Sequence, residues 1–177
     1  MRPALVITTL AGLVIVTPCA AQTPATPAPQ KPIAHQPDAR RSEAPETFVA
    51  VLSGAYEVPA VDTHATGTAE LTLVGARMHY QLHVDSIRDI TGAYVHIGRA
   101  GEPAPAVADL FDGVKAGPAS GVLSSGTLEP AALHGTTMHQ LVQALQQDDA
   151  YVTVHTLAHP GGELRGQLRA QPAVASR

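Results

Sequence analysis

The sequence contains very little cysteine and few aromatic residues. Cys19 is the single cysteine among 177 residues, and the chain has no tryptophan, two phenylalanines and four tyrosines. Cys19 lies in an N-terminal leader, so the remainder of the chain has no thiol. This excludes disulfides, thiolate zinc sites and a cysteine nucleophile from any fold that begins after the leader. Its core must be built from valine, leucine and isoleucine.

Positive charge is also scarce. The chain has 11 Lys and Arg against 15 Asp and Glu, a net charge of −4 at pH 7, and its basic residues form no cluster. Proteins that bind nucleic acids or anionic membranes use grouped Lys and Arg side chains, so we expect neither partner. Beyond the leader, no segment approaches the roughly 18 apolar residues of a transmembrane helix, and we expect no membrane insertion.

Residues 1–21 have the pattern of a secretory signal peptide. MRPALVITTLAGLVIVTPCAA begins with a basic residue, continues with an apolar stretch and ends in small residues, with an expected cut after Ala21. A lipid anchor at Cys19 is disfavoured, because Pro18 precedes it where such signals need a small residue. The sequence predicts an exported protein, either periplasmic or secreted.

The rest of the chain divides into a tether and one folded domain. Residues 22–46 are rich in proline and poor in large apolar side chains, which is typical of a disordered segment that cannot bury enough surface to fold. Strand-like alternation begins near Thr47 and ends near Gln171. We therefore predict one domain over residues 47–171, followed by a tail at 172–177.

The domain shows the period-two pattern of β-strands. In RMHYQLHVDSI, one face carries Met78, Tyr80, Leu82 and Val84, and the other carries His79, Gln81, His83 and Asp85. Further short strands are expected in AYVHIG, AVADLF and SGVLSSGTL, and YVTVHT and ELRGQLR form a closing hairpin. One helix is predicted in TTMHQLVQALQQ, where Thr137 and Gln140 suit a capping box. About seven or eight short strands with one short helix indicate an all-β antiparallel sandwich or barrel.

Three segments each place polar side chains on one face of a strand. AYVHIG has Tyr94 and His96 on one face, YVTVHT has Thr153 and His155, and GELRGQL has Glu163 and Arg165. If the three strands are neighbours in the sheet, these side chains form one surface, which we call the polar patch. It is the candidate binding site of the domain.

The polar patch has two interpretations. The imidazoles of His96 and His155 with the carboxylate of Glu163 would supply a ligand set for zinc, iron or copper. His159 would join this set only if its loop folded back. Alternatively, Glu163 pairs with Arg165, and the histidines orient neighbouring strands and loops through hydrogen bonds. The network is favoured, because no two ligands have the local spacing of a known metal motif. We expect no cofactor.

Motifs of enzymes are absent from the sequence. It contains no Gly-x-Ser-x-Gly elbow, no P-loop and no dinucleotide fingerprint. His79 and His83 lie on one strand about 13 Å apart, so they are expected on a solvated face rather than around one ion. We therefore expect no catalytic residues and no enzymatic activity.

The order of three segments resembles the CHRD domain, which occurs in chordin and in secreted bacterial proteins. The segments are LSGAYEVPAVDTHATGTAEL, GAYVHIGRAGEPAPAVADL and YVTVHTLAHPGGELRGQL. The resemblance implies an immunoglobulin-like antiparallel β-sandwich or barrel, similar to that of superoxide dismutases, and no general activity. Two positions depart from the family pattern. Tyr94 replaces the first histidine of Ala-His-Ile-His, and Thr153 replaces the asparagine of Val-Asn-Val-His.

The resemblance implies a non-enzymatic binding or structural module, whose partner would be an unknown extracytoplasmic protein or glycan. Bone morphogenetic proteins, which chordin binds, do not transfer to a single-domain exported protein. The alternative is a metal-binding or redox protein with a degenerate superoxide-dismutase-like site at His96, His155 and Glu163. A dismutase centre needs more ligands than this chain offers, so the binding module is favoured.

Overall fold

The structure is a computed structural model that describes residues 45–172. The expected signal peptide (1–21) with Cys19, the tether up to residue 44 and the tail from residue 173 lie outside the described residues. No helix in the described part of the chain is long and apolar enough to cross a membrane.

The described chain is mostly β-strand with one α-helix. The strands are β1 (Glu46–Ser53), β2 (Thr66–Val74), β3 (Arg77–Ile97), β4 (Ala106–Leu128), β5 (Ala150–Thr156), β6 (Leu164–Gln167) and β7 (Arg169–Ala170), and the helix is α1 (Met138–Gln146). Short 3₁₀ turns lie at Gly54–Tyr56 and Pro130–Ala132. The expected all-β fold with one short helix is confirmed.

The strands form a closed antiparallel barrel. β1 pairs with β2 and β6, β6 with β5, and β5 with the second half of β3. The first half of β3 pairs with β2, which closes the ring. β4 lies outside this ring and pairs with β3 along most of its length. The closing hairpin expected at the end of the domain is therefore confirmed as β5 and β6.

The expectation of separate short strands in the middle of the domain was wrong. AYVHIG is the end of the 21-residue strand β3, and AVADLF and SGVLSSGTL belong to the 23-residue strand β4. Ser86 and Asp89 have positive φ angles of 55° and 54°, and the pairing with β4 shifts register around both. Such bulges bend a strand without ending it, so one long β3 follows the barrel wall round a corner.

The core lies inside the barrel and follows the predicted alternation. Met78, Leu82 and Val84 are buried, whereas His79 and His83 are exposed, as expected. The helix α1 begins with the predicted capping box: Gln140 N donates to Thr137 Oγ1 at 3.2 Å, and Thr137 N donates to Gln140 Oε1 at 3.0 Å. Its buried residues are Leu141, Ala144 and Leu145.

Candidate functional site

The structure places the polar patch on the outside of the barrel wall formed by β3, β5 and β6. Strand pairing sets Tyr94 opposite Thr153, and Thr153 opposite Arg165. The same pairing sets His96 opposite Tyr151 on the neighbouring row. These side chains face away from the core because their neighbours in each strand, such as Val95 and Val152, point inward.

A hydrogen-bonded chain joins the two histidines through one hydroxyl. Thr153 Oγ1 lies 2.9 Å from His96 Nε2 and 3.0 Å from His155 Nε2. The opposite ring nitrogens both face backbone carbonyls. His96 Nδ1 lies 2.8 Å from the oxygen of Ala104, and His155 Nδ1 lies 2.8 Å from that of Pro160. A carbonyl only accepts, so both Nδ1 atoms carry hydrogens.

This hydrogen-bonded chain lacks one donor hydrogen when both imidazoles are neutral. Each Nε2 is then an acceptor, but the hydroxyl of Thr153 has a single hydrogen to donate. Burial lowers the pKa of His96, although its bond to the carbonyl of Ala104 opposes the shift. His96 is therefore the ring that accepts the hydroxyl hydrogen.

Aromatic contacts fix the orientation of both rings. His96 stacks on Tyr151, with ring centroids 4.6 Å apart and planes 5° from parallel. Tyr94 stands edge-on to His155 at 5.1 Å and to His96 at 6.4 Å. Edge-to-face and stacked arrangements are the favoured geometries for such rings. The histidines of the polar patch are therefore held in place rather than free to turn toward a ligand.

Arg165 is the buried cation of the polar patch. Its side chain is 4% exposed, and its guanidinium carbon lies 3.6 Å from the centroid of the Tyr151 ring. Nη2 donates to the carbonyl oxygens of Arg99 at 3.2 Å and Glu102 at 2.8 Å. The expected ion pair between Arg165 and Glu163 was wrong. No such pair exists in the described chain, because backbone carbonyls take the place of the carboxylate.

Glu163 is bound by two threonines instead. Thr63 Oγ1 donates to Oε1 at 2.8 Å, and Thr156 Oγ1 donates to Oε2 at 2.7 Å. This carboxylate ties the loop before β2 to the end of β5. Thr63 and Thr156 lie outside the strand faces from which the polar patch was predicted. The alternation of β6 gave no indication of either contact.

The alternative metal set of His96, His155 and Glu163 does not meet in the structure. Within residues 45–172, no group of three or more His, Cys, Asp or Glu side chains is placed to hold a metal ion. Both oxygens of Glu163 and all four ring nitrogens of the two histidines already face protein partners. The side chain of His159 does not join the hydrogen-bonded chain of the two histidines. Its backbone N donates to Thr156 Oγ1 at 3.1 Å.

Glu57 is a buried acid that the sequence analysis did not single out. It follows the 3₁₀ turn after β1, where no alternation predicts the direction of a side chain. Within the described chain, its Oε1 is the buried side-chain atom that has no hydrogen-bond partner. Burial raises the pKa of Glu57, while a backbone hydrogen bond and the charges of Arg165 and His155 oppose the shift.

A groove of about 380 Å³ lies beside the polar patch on the outer face of β1, β6 and β7. Val49 and Val51 of β1 supply apolar surface, and Arg165 and Arg169 supply charge. The remaining walls are Tyr56, Gln167 and the Ala100–Gly101 segment of the loop between β3 and β4. We call this the β1–β6 groove. None of the described residues that line it is acidic.

Comparison with known proteins identifies the family. The family model of the CHRD domain matches residues 48–168, which is most of the described chain. The chain belongs to the CHRD family. No curated protein and no solved structure matches it significantly. The resemblance stated from the three sequence segments is therefore confirmed.

Two residues of this CHRD domain that the resemblance implies to differ from the family pattern lie next to each other in the polar patch. Tyr94 and Thr153 are paired residues on adjacent strands. Tyr94 contacts both histidines with its ring, and Thr153 joins them with its hydroxyl. Tyr94 and Thr153 thus take part in one hydrogen-bonded and aromatic unit. In this CHRD domain that unit connects strands rather than presenting free ligands.

Proposed function

We propose that this CHRD protein is an exported, non-enzymatic module that binds an extracytoplasmic protein or glycan through the β1–β6 groove. Membership of the CHRD family supports a module without catalysis. The signal-like residues 1–21 support export to the periplasm or beyond the cell. We also propose that the barrel has the immunoglobulin-like or superoxide-dismutase-like arrangement that the family resemblance implies.

The composition of the β1–β6 groove is the observation that supports the proposal. The β1–β6 groove combines a fixed, buried guanidinium with apolar side chains on an outer barrel face. Val51 is 65% exposed and Tyr56 is 59% exposed, so large apolar surface is open to solvent at the groove. Binding sites typically have this composition, with mostly apolar walls and a few well-placed polar groups.

The polar patch supports a non-enzymatic function, because its polar atoms are already bound by protein groups. General acids, bases and metal ligands need atoms that can reach a substrate. In the polar patch, the histidine nitrogens and the oxygens of Glu163 are occupied by protein groups. The patch therefore positions the loops around the β1–β6 groove, and we do not propose a second function based on metal or redox chemistry.

A pair of tryptophan substitutions tests the proposal. The protein is screened by surface plasmon resonance against glycans and against purified secreted proteins. Ala100→Trp fills the β1–β6 groove, whereas Val114→Trp adds the same ring at a position on β4 that is 71% exposed and does not line the groove. Any partner should lose at least about tenfold in affinity with Ala100→Trp and little with Val114→Trp. Equal affinity in both variants would place the binding surface elsewhere and contradict the proposal.

A further inference from the structure

We infer that the outer face of β1 binds a neutral oligosaccharide, which runs from the β1–β6 groove over Val51 into a second depression on the other side of β1. This rests on the proposed function and narrows its ligand to one class. The second depression has a volume of about 400 Å³ and lies over β2 and β3. We call it the β2–β3 depression, and its lining includes Val51, Thr66, Thr68, His83, Asp85 and Gly121.

The two cavities adjoin along β1. Val51 is 65% exposed and lines both of them. Strand pairing sets Val51 beside Thr68 and Thr68 beside His83, so one row of side chains crosses the β2–β3 depression. On the opposite side of β1 lies β6, which carries Arg165 and Gln167. From β3 to β6 the face spans three strand spacings, about 14 Å, which a chain of linked sugar rings bridges and a single ring does not.

The β2–β3 depression offers hydroxyl, imidazole and carboxylate groups to a ligand. Thr66 lies opposite Asp85, and Thr68 lies opposite His83, so the four side chains form a close group on the outer face. Thr66, Thr68 and His83 are exposed, and their side chains make no hydrogen bond within residues 45–172. These groups are therefore open to a ligand.

The carboxylate of Asp85 is held in place as an acceptor. Ser86 Oγ donates to its Oδ2 at 3.1 Å. Hydrogen bonds from Ser120 and Ser86 hold the pKa of Asp85 below its ordinary value of 3.8. The group is therefore charged at neutral pH and only accepts hydrogen bonds.

The β1–β6 groove adds donors at the other end. Two loop carbonyls take Nη2 of Arg165, while Nε and Nη1 have no acceptor within the described chain and are not among its buried atoms without a partner. Each is a single donor, which suits one hydroxyl oxygen. Gln167 gives Nε2 to two backbone carbonyls, which leaves its Oε1 as an acceptor on the groove wall.

The opposite charges of the two cavities favour a neutral ligand. Arg165 and Arg169 line the groove, whereas Asp85 lines the depression. Asp85 would repel an acidic chain, and the two arginines would repel a basic one. A guanidinium only donates and a carboxylate only accepts, so the ligand needs groups that do both along its length. The hydroxyls of a neutral sugar chain meet this requirement.

The remaining surface also fits sugars better than a peptide. Sugar rings have faces of C–H groups, which the exposed side chains of Val51 and Tyr56 can cover. Extended peptides commonly bind by adding to a free strand edge. β1 offers no such edge, because β2 pairs with all of its residues on one side and β6 and β7 lie along the other. A ligand on this face therefore meets side chains rather than backbone groups.

Titrations with sugars of different length and charge test the inference. The purified protein, labelled with ¹⁵N, is titrated with cellotetraose, maltotetraose and chitotetraose, with the single rings glucose and N-acetylglucosamine, and with acidic tetragalacturonate. At least one neutral tetrasaccharide should shift the amide signals of Val51, Thr68, His83 and Gln167 together. It should bind at least about tenfold more tightly than its single ring, because linked contacts act together. Tetragalacturonate should bind more weakly than that tetrasaccharide.

A matched pair of tryptophan substitutions connects the binding to the β2–β3 depression. His83→Trp fills the depression, whereas His79→Trp adds the same ring on the same exposed face of β3, about 13 Å away and outside the linings of both cavities. His83→Trp should weaken the tetrasaccharide by at least about tenfold, and so should Ala100→Trp at the other end. His79→Trp should have little effect.

The outcomes separate this inference from the proposed function. Weakening by Ala100→Trp but not by His83→Trp would confine the ligand to the β1–β6 groove, which overturns the inference and leaves the proposed function. Equal affinity for one ring and four, or tighter binding of tetragalacturonate, would also overturn it. No shifts with any sugar in folded protein would overturn the glycan ligand. The Ala100→Trp and Val114→Trp comparison with a protein partner would then decide the proposed function.

Discussion

The hydroxyl of Thr153 is the smallest group on which the polar patch depends. Replacing it with the similarly shaped Thr153→Val leaves His96 Nε2 buried without a donor. We expect a loss of about 1–3 kcal/mol in the free energy of unfolding, the usual cost of an unpaired buried polar group. Thr153→Ser keeps the hydroxyl and should lose less. Urea unfolding at pH 7 measures both, and a valine variant as stable as the serine variant would contradict the bridging role.

Glu57 predicts a pH dependence of stability. Burial raises the pKa of this carboxyl above its ordinary value of 4.5, so the folded state binds the proton more tightly than the unfolded state. The favourable effect of Glu57 is present below that value and is lost as pH rises through the folded-state pKa. Glu57→Gln should therefore stabilise the protein at pH 7, by about 1 kcal/mol.

The control for this prediction is the same pair of proteins in acid. Below about pH 4 the glutamic acid is neutral in both states, and the variant and the original chain should unfold at nearly equal urea concentrations. Thermal or urea unfolding from about pH 3 to pH 8 gives the difference directly. A variant that is less stable at pH 7 would show that the charge of Glu57 is needed by Arg165 and His155.

The faces of the strands could be predicted from sequence, but the partners of individual side chains could not. Alternation correctly set Tyr94, His96 and Thr153 on outer faces, because period two follows from backbone geometry alone. The partners of Arg165 are carbonyls in a loop more than 60 residues away along the chain. No local pattern records which loop covers a strand, so charge complementarity wrongly suggested Glu163.

At the scale of elements, the loop between β5 and β6 has one glycine that the fold requires. Gly162 has a φ of 127°, and a Cβ at this position would collide with the carboxylate of Glu57. Gly161, its neighbour, has open space around the same position. Gly162→Ala should cost at least about 2 kcal/mol, from backbone strain together with displacement of Glu57.

Gly161→Ala is the matched control and should change the free energy of unfolding by less than about 1 kcal/mol. Urea unfolding of the two variants under identical conditions provides the comparison. Equal stabilities would show that the loop can move away from Glu57 without penalty. In that case the loop would be a loose connection rather than part of the wall around the polar patch.

Elements with a local signal were predicted well, and elements shaped by bulges were not. The α1 capping box depends on Thr137 and Gln140, which lie only three positions apart. The continuity of β3 depends on Ser86 and Asp89 adopting positive φ, and contacts from β4 support both sites. Ser86 N donates to Ser120 Oγ, and Gly117 N donates to Asp89 Oδ1. Such long-range support has no local signature.

For the whole molecule, closure of the barrel leaves the backbone amides of different strands unequally protected from exchange with solvent. β5 is paired on both edges, by β3 and β6. β4 is paired with β3 along one edge, and within the described residues its other edge has only the isolated bridge between Ala108 and Leu133. Amide hydrogen exchange should therefore be slow throughout β5, while many β4 amides exchange orders of magnitude faster. Exchange followed by mass spectrometry on peptides from both strands measures the contrast.

Uniformly slow exchange in β4 would contradict that expectation and would indicate that another chain covers its outer edge. Repeating the experiment over a hundredfold range of protein concentration distinguishes the two cases. Protection that rises with concentration requires association between copies, whereas constant fast exchange agrees with an uncovered edge. Gly113, Gly117, Pro118 and Gly121 interrupt β4 and are features that discourage strand addition at an edge.

The pairing of β7 with β1 has a consequence for how the domain can be joined to other proteins. Gln171 N donates to Thr47 O at 2.8 Å, so the first and last residues of the barrel are neighbours. Entry and exit points about 5 Å apart match the spacing of two adjacent strands in any hairpin. The whole domain could therefore be inserted into a surface turn of an unrelated host protein. Because its two ends lie side by side, the insertion would leave the host's own strands together.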